Sequence, residues 1–340
     1  MPFRTILVGL GRIGAAYIDD KTMAKTVPYA THAQVLADHP AFRWEAAVDI
    51  SDAARELVLT RFGVEHVART LEEIDCLGEI DVVVLATPPS FRLSVLGALP
   101  NLKAVLVEKP LGATLGESEA FLQECRRRGI LTQVNLTRRA DAAMQGLAGG
   151  GLKERIGSIQ CGFGVYGNGI INYATHTVDL VRMLVGEVTA VQALKRSLEF
   201  QEGPLADDKN LSFTLFVEDG TPVTLHPVRF SRYREGSLDL WGEKGRLEIL
   251  QEGLLMRQTP RADCRSLYGA CELAASSSGL ESTGYGRALY DLYGDLAHVL
   301  TGERNATCSP CDSALVTERV VHAVLASANS GGSVVEIRAS

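Results

Sequence analysis

The run Thr5-Ile-Leu-Val-Gly-Leu-Gly-Arg-Ile-Gly14 constrains the fold more than any other stretch of the chain. A short apolar strand enters Gly-x-Gly-x-x-Gly directly, and helix-like sequence follows. In that context each glycine has a reason. Gly9 permits a tight turn, Gly11 lets backbone approach a pyrophosphate, and Gly14 allows a helix to pack closely on a strand. The N–H groups that open the helix then face the phosphates. The expectation is a dinucleotide-binding βαβ unit, with Arg12 and Ile13 as the side chains of its loop.

The same rhythm continues. Short apolar strands are predicted at 4–8, 44–48, 81–86, 104–107 and 131–134, with helices over 51–62 and 116–128. Continuous Val/Ile/Leu runs suit a sheet covered on both faces, and strands alternating with helices imply a parallel, doubly wound sheet. Ser51, Glu117 and Ser118 stand near helix starts, where hydroxyls and carboxylates favour free N–H groups. Arg126, Arg127 and Arg128 read as a solvated helix end.

Around 135–157 the texture changes, with Gly146, Gly149, Gly150 and Gly151 marking a break. Alternating segments at 158–165, 189–195, 211–217, 221–227, 237–241 and 246–250, with turn signals such as Asp219-Gly220 between them, suit an open, mostly antiparallel sheet. Helices at 286–301 and 309–330 and a strand at 333–337 close the chain. The Ser/Ala-rich stretch 261–282 reads as a mobile loop. The chain is thus expected to be α/β with two domains, a Rossmann domain over 1–134 and a substrate-binding and oligomerisation domain over 135–340.

The 340 residues, 46% of them hydrophobic, suffice for two cores. A net charge of −7 with scattered basic residues argues against a nucleic-acid binder. The chain passes from Met1 almost directly into a strand, and no apolar run approaches the roughly 18 residues of a membrane span. A soluble cytoplasmic protein without a membrane partner is expected. Seven cysteines without framework spacing fit a reducing compartment. Cys308-Ser-Pro-Cys311 has CxxC spacing, but no second pair accompanies it.

Asp49 ends the second strand, where a carboxylate can accept from ribose hydroxyls and repel a 2′-phosphate, favouring NAD over NADP. The alternative is a simple strand-end turn residue. An acidic residue is expected about 20 residues beyond the glycine loop, but Asp49 comes 35 after Gly14. Residues 19–34, with Pro28 inside, read as an insertion in the first crossover. Pro88 and Pro89 stop the strand at 81–86 sharply, leaving Thr87 beside the path of a nicotinamide ribose. Val-Leu-Val-Glu108-Lys109-Pro110 sets a lysine at a strand's C-terminal end, where open α/β sheets bind ligands.

On Gly9–Gly14, Asp49, Ala86-Thr-Pro-Pro89, Glu108-Lys109-Pro110 and Asn172-Tyr-Ala-Thr-His176-Thr-Val-Asp179, the chain resembles the Gfo/Idh/MocA family of oxidoreductases over nearly its whole length. The resemblance implies a Rossmann domain plus an open-sheet α/β domain, NAD(P), and a sugar, inositol or sugar-nucleotide substrate. It also implies a homodimer or homotetramer assembled through the sheets, a cis Pro110, and a 172–179 block facing the nicotinamide with Lys109 opposite.

Asn172, His176 and Asp179 stand at i, i+4 and i+7, one polar stripe on a helix. A neutral histidine can take an alcohol's O–H proton as the hydride leaves carbon, and a lysine can stabilise charge on the same oxygen. Lys109 and His176 are therefore the catalytic candidates, with Asn172 orienting substrate and Glu108 orienting the lysine or the cofactor. Family members most often carry Asp where Asn172 stands, and an amide can neither accept a proton nor raise the basicity of His176. The plain alternative for His176 is a satisfied helix histidine. A zinc site from His176 and Asp179 lacks further ligands, so no metal is expected.

Asn135 and Arg138, after the strand at 131–134, are candidate substrate or cofactor contacts, or else surface residues. Loops 163–172 and 228–236 carry Tyr166, Asn168, Arg229, Arg232, Tyr233 and Arg234. Their arginines suit a substrate phosphate, an exposed strand face or a subunit contact. The resulting reading is an NAD(H)-dependent oxidoreductase of a hydroxyl or keto group on a sugar derivative, sugar nucleotides included. Two others compete: an enzyme that recycles bound NAD within a hydrolytic or epimerising cycle, and a non-catalytic NAD- and sugar-binding regulator, for which Asn172 is the best hint.

Overall fold

A computed structural model describes residues 1–195, 200–262, 271–274 and 278–337. They form two compact units, Met1–Ala140 with Tyr285–Leu315, and Asp141–Gly284 with Val316–Ser340. The division is interleaved, where a single cut after residue 134 was expected.

In the first unit, strands β1 (Phe3–Val8), β2 (Phe42–Val48), β3 (His66–Ala68), β4 (Val82–Leu85), β5 (Ala104–Val107) and β6 (Leu131–Val134) pair in parallel in the order β3-β2-β1-β4-β5-β6. This is the dinucleotide-binding order, with its switch point between β1 and β4. Neighbours along a strand point to opposite faces. Ile6, Val83 and Val105 therefore enter one core, while Leu7, Val84 and Leu106 enter the other. Both faces are covered, which is why these strands read as unbroken apolar runs.

Helix α1 is His32–Asp38, α2 Asp52–Phe62, α3 Arg92–Ala98 and α4 Leu115–Arg128. Ser51 caps α2 by accepting from the Ala54 N–H, and Thr114 caps α4 by accepting from that of Glu117. Both helices end on a left-handed glycine, Gly63 or Gly129.

Helix-like sequence after the glycine loop does not give a continuous helix. Residues 11–15 make a first turn, in which the Ala15 N–H donates to the Gly11 carbonyl at 2.9 Å. The chain then leaves through two short 3₁₀ turns, Ala16–Asp19 and Met23–Lys25. It returns at Thr31, which caps α1 in a reciprocal pair with Gln34. On return, the His32 N–H donates to the Ile13 carbonyl at 3.0 Å and that of Ala33 to the Gly14 carbonyl at 2.9 Å. In a continuous helix residues 17 and 18 would make those bonds. The excursion is therefore a fifteen-residue splice into one helix. Without it, the 35-residue separation of Asp49 from Gly14 becomes twenty.

In the second unit, α5 (Ala142–Gly146), α6 (Leu152–Ile156) and α7 (Thr175–Leu184) accompany the strands β7 (Ile159–Tyr166), β8 (Val188–Ala193), β9 (Phe200–Gln201), β10 (Lys209–Asn210), β11 (Phe213–Val217) and β12 (Pro222–Pro227). They continue as β13 (Ser237–Gly242), β14 (Gly245–Leu250), β15 (Leu255–Ala262), β16 (Glu272–Leu273), β17 (Gly279–Ser282) and β18 (Val335–Glu336). The main sheet runs β16-β15-β14-β13-β7-β12-β11-β8-β18, with β17 also on β15. Pairing is antiparallel throughout except between β7 and β12, so the mostly antiparallel expectation holds. One face is buried. Leu238 and Leu240 of β13 enter the core while the alternate residues Asp239 and Trp241 stay half-buried.

The first unit takes α8 (Ala288–Leu300) because its Leu289, Leu292, Tyr293 and Leu296 pack into the core holding Val35 and Phe42. Val320, Val321 and Val324 of α9 (Cys311–Asn329) pack into the second core. The loop expected at 261–282 contains strand pairing at β16 and β17; its residues 263–270 and 275–277 lie outside the described ones. Among the described residues, no helix is long and apolar enough to cross a membrane.

Candidate active site

The glycine loop joins β1 to the first helical turn. Gly9 has φ +96°, and a Cβ there would lie 2.6 Å from the Ala86 carbonyl at the end of β4. A Cβ on Gly14 would lie 2.2 Å from the Gly9 oxygen, whereas one on Gly11 would meet nothing within 4 Å. Gly9 and Gly14 thus answer to the protein's own backbone, and Gly11 faces open space. Arg12 is exposed beside it and Ile13 is half-buried.

Asp49 follows β2 and pins the loop. Its Oδ2 accepts the Leu10 N–H at 2.6 Å and its Oδ1 the Ser51 N–H at 2.8 Å. A carboxylate has about four acceptor directions, so room remains for ribose hydroxyls. At the end of β4, Pro88 is exposed, while the Thr87 Oγ1 is buried with no partner among the described residues.

Sequence reasoning missed Arg92, which opens α3 at 2% exposure. Its guanidinium donates to the Thr87 carbonyl at 3.1 Å, the Leu111 carbonyl at 3.1 Å and the Pro110 carbonyl. One buried cation therefore ties together the turns after β4 and β5. The signal was present: an arginine opening an otherwise apolar helical stretch.

Glu108 and Lys109 follow β5, with a cis peptide bond between Lys109 and Pro110. Glu108 Oε1 lies 3.1 Å from His32 Nε2 and accepts from Asn135 Nδ2. Burial works against the charge on Glu108, but the hydrogen bond and charge of His32, the Asn135 bond and the Lys109 charge outweigh it. The carboxyl is held below its ordinary value. Asn135 is 6% exposed, and its Oδ1 has no partner among the described residues. Arg138 is nearly buried, with its guanidinium 4.9 Å from the centre of the Tyr285 ring.

These residues fit a dinucleotide. Gly11 leaves the approach that a pyrophosphate needs, Asp49 is oriented with acceptor capacity to spare, and Thr87 Oγ1 and Asn135 Oδ1 are buried polar atoms lacking partners among the described residues.

In the second unit, Asn172 and His176 are half-buried. They lie where a wide turn, Ile170–Ala174, runs into α7. The buried Asp208 holds the start of that turn, accepting the Ile171 N–H at 2.9 Å and the Asn172 N–H at 2.7 Å. Asn210 Oδ1 accepts the Gly169 N–H at 2.8 Å. Neither Asp208 nor Asn210 was foreseen. Asn172 Nδ2 donates to the Asn168 carbonyl at 3.2 Å, and the His176 ring meets Tyr173 edge-on at 5.9 Å.

Asp179 leaves the expected stripe. At 2% exposure it accepts from Thr317 Oγ1 at 3.0 Å and stands 3.8 Å from Arg182. Tyr166 is also corrected. It is 0% exposed, and its hydroxyl donates to the Leu211 carbonyl at 2.6 Å and accepts the Leu211 N–H at 3.0 Å, so it is a core residue rather than a substrate contact. Arg229 stands 3.7 Å from Glu202 and Arg234 donates to Glu252 at 2.7 Å. Arg232 is exposed, without a carboxylate partner among the described residues.

Two side clusters carry other chemistry. Glu45, His66 and Cys76 bring donor atoms within 4.8 Å of one another. However, Glu45 is paired with Arg4 at 3.1 Å and Arg43 at 3.0 Å, and burial pushes the Cys76 thiol up. Cys308 and Cys311 are free thiols, and burial drives Cys308 to about 12, far from a reactive thiolate.

Residues 3–136 match the model of the oxidoreductase family with an NAD-binding Rossmann fold, and residues 164–248 match the GFO/IDH/MocA C-terminal domain. Together the matches span more than half of the chain. The scyllo-inositol 2-dehydrogenase (NAD(+)) of Bacillus subtilis is 27% identical over 253 residues, covering 68% of each chain. The inositol 2-dehydrogenase of Rhizobium meliloti is 24% identical over 265 residues, covering 72% of this chain and 74% of the relative. The WlbA dehydrogenase of Bordetella pertussis, solved with NADH and UDP-GlcNAcA, superposes with a TM-score of 0.73 at 19% identity over 100% of both chains. The glycine loop, the strand order and both domain matches agree: the chain belongs to the Gfo/Idh/MocA family of NAD-binding oxidoreductases.

Proposed function

We propose that this protein oxidises a hydroxyl of a sugar derivative, or reduces the matching ketone, with Lys109 and His176 acting on the same substrate oxygen. The observation that carries the reading is Lys109 itself. It follows β5 in an NAD-binding sheet, next to a carboxylate held ionised. Gly9, Gly11, Arg12, Ile13 and Gly14 would hold the pyrophosphate and Asp49 the adenosine ribose. Thr87, Pro88 and Asn135 would border the nicotinamide.

NAD supplies a hydride acceptor when bound, or a donor when reduced. Lys109 stabilises negative charge as it develops on the oxygen. His176 takes the hydroxyl proton, and Asn172 orients a neighbouring hydroxyl without titrating. Within the sugar class, Arg232 favours a sugar nucleotide, because an exposed guanidinium without a carboxylate partner among the described residues is available to a phosphate. The UDP-GlcNAcA bound by the Bordetella pertussis protein supports the same choice. A cytoplasmic homodimer or homotetramer completes the proposal; Phe163 of β7, 47% exposed, suits a subunit contact.

The test is a near-ultraviolet NADH screen against inositols, sugars and sugar nucleotides, with each hit repeated on Lys109→Ala and His176→Ala. Each substitution is expected to lower kcat/KM by about a hundredfold or more with NAD binding retained. Unchanged turnover in either variant refutes the assignment. Silence across the panel with NAD bound shifts weight to a recycled cofactor or a regulator.

A further inference from the structure

The chemistry above makes no use of the His32 imidazole. His32 is 0% exposed, yet both ring nitrogens are engaged. Nε2 lies 3.1 Å from Glu108 Oε1, and Nδ1 lies 2.8 Å from the Tyr293 hydroxyl. Tyr293 is equally buried, edge-on to Phe42 at 5.3 Å. Burial, reinforced by the charge on Glu108, pushes its phenol well up, so the hydroxyl keeps its proton.

Donor directions follow. An ionised carboxylate only accepts, so Nε2 carries a hydrogen and donates to Glu108, as Asn135 Nδ2 does. With a neutral ring, Nδ1 accepts from the Tyr293 O–H. With a protonated ring, Nδ1–H donates to the Tyr293 oxygen instead. In both states the bond to Glu108 keeps its direction.

Backbone geometry adds a second link. His32 is the first residue after the excursion, and its N–H donates to the Ile13 carbonyl of the glycine loop. One residue therefore holds the loop with its main chain and the turn after β5 with its side chain.

We propose that His32, backed by Tyr293, is a positioning residue for Lys109, acting through Glu108, which it keeps ionised and fixed beside the lysine. This rests on the reading that Lys109 carries the chemistry. The groups facing Glu108 are His32 from α1, Asn135 after β6 and Lys109 on its own turn, with Tyr293 of α8 behind His32. Asn135 does not titrate. Without His32 the buried carboxylate loses a donor and a positive neighbour and takes up a proton more readily, which weakens its attraction for Lys109.

The test uses the full chain with His32→Leu, His32→Gln and Tyr293→Phe. Gln can return an N–H near the Nε2 position; Leu cannot. In His32→Leu, NAD affinity holds while kcat falls about ten- to a hundredfold with KM little changed. The acid limb of its kcat profile moves up by about one pH unit or more. His32→Gln recovers most of kcat and the wild-type limb, and Tyr293→Phe moves the limb the same way by less. An unmoved limb in folded His32→Leu, or His32→Gln no better than His32→Leu, overturns the proposal. Should His32→Leu not fold, an unmoved limb in Tyr293→Phe does so.

Substrate-free NMR separates this failure from that of the dehydrogenase reading. His32 Nε2 is expected to stay protonated wherever the fold persists, and the Lys109 amine to titrate lower in Tyr293→Phe and His32→Leu than in wild type. A ring protonated on Nδ1 alone, or an unmoved Lys109 titration, overturns the proposal whatever the turnover. The expected NMR result with no turnover on any substrate refutes only the dehydrogenase reading.

Discussion

Arg92→Leu is expected to destabilise the first unit and weaken NAD binding together. The guanidinium serves three carbonyls, of Thr87, Pro110 and Leu111. Leucine fills much of the stem's volume but donates to none of them. A carbonyl stripped of its donor in a buried place costs about 1–3 kcal/mol. The Leu111 bond is wholly buried, while the other two are partly reachable by water, so the three do not count equally. Removing a buried charge also returns some desolvation energy. These opposed effects leave a net loss of about 3 kcal/mol, large against a total of about 5–15 kcal/mol for a domain. Urea unfolding with and without NAD reads it, as a midpoint moved down by about 1 M. Arg92→Lys is expected to lie between, since an ammonium lacks the planar fork. An Arg92→Leu protein within about 0.5 kcal/mol of wild type, binding NAD normally, would refute the clamp.

Two further predictions test the loop. Gly11→Ala is expected to leave the stability of the NAD-free protein unchanged, because a Cβ there meets nothing within 4 Å, but to weaken NAD binding. Gly14→Ala is expected to lose both, because its Cβ would sit 2.2 Å from the Gly9 oxygen; thermal shifts with and without NAD separate the cases, and two variants that behave alike would contradict the assignment. Excising Tyr17–Thr31 joins Ala16 to His32 and should restore one helix from the loop to Asp38. The Thr31 cap is lost, costing about 1 kcal/mol, and the closure entropy of the excursion, about 2 kcal/mol, is recovered. Calorimetry should find NAD affinity retained and stability within about 2 kcal/mol of wild type; a folded deletion that no longer binds NAD would refute the splice.

What the sequence shows and what it hides divide along a physical line. The β1 strand and its glycines are local, as is the Ser51 cap of α2, and all were legible; at α4 the sequence pointed to Glu117 and Ser118, whereas the cap is Thr114. The β3 strand is only three residues long, and α3 is a seven-residue helix that starts three positions after Pro89 and contains Gly97, so neither presents a readable period. Contacts made across the chain left no local trace. His32 and Tyr293 are 261 positions apart, and Tyr166 spends its hydroxyl on Leu211, 45 positions away, so a tyrosine in a predicted loop turned out to be core. Asp49 is the instructive case, because its distance from Gly14 looked like a departure from the rule. The hydrogen bonds from His32 and Ala33 back to Ile13 and Gly14 show why it is not one. The rule depends on how far one helix carries the chain before the second strand, and that distance is measured in helical turns rather than residues. An excursion that leaves the helix and re-enters at the next hydrogen-bonding position adds residues without adding length, so the carboxylate still arrives at the glycine loop, bonded to Leu10.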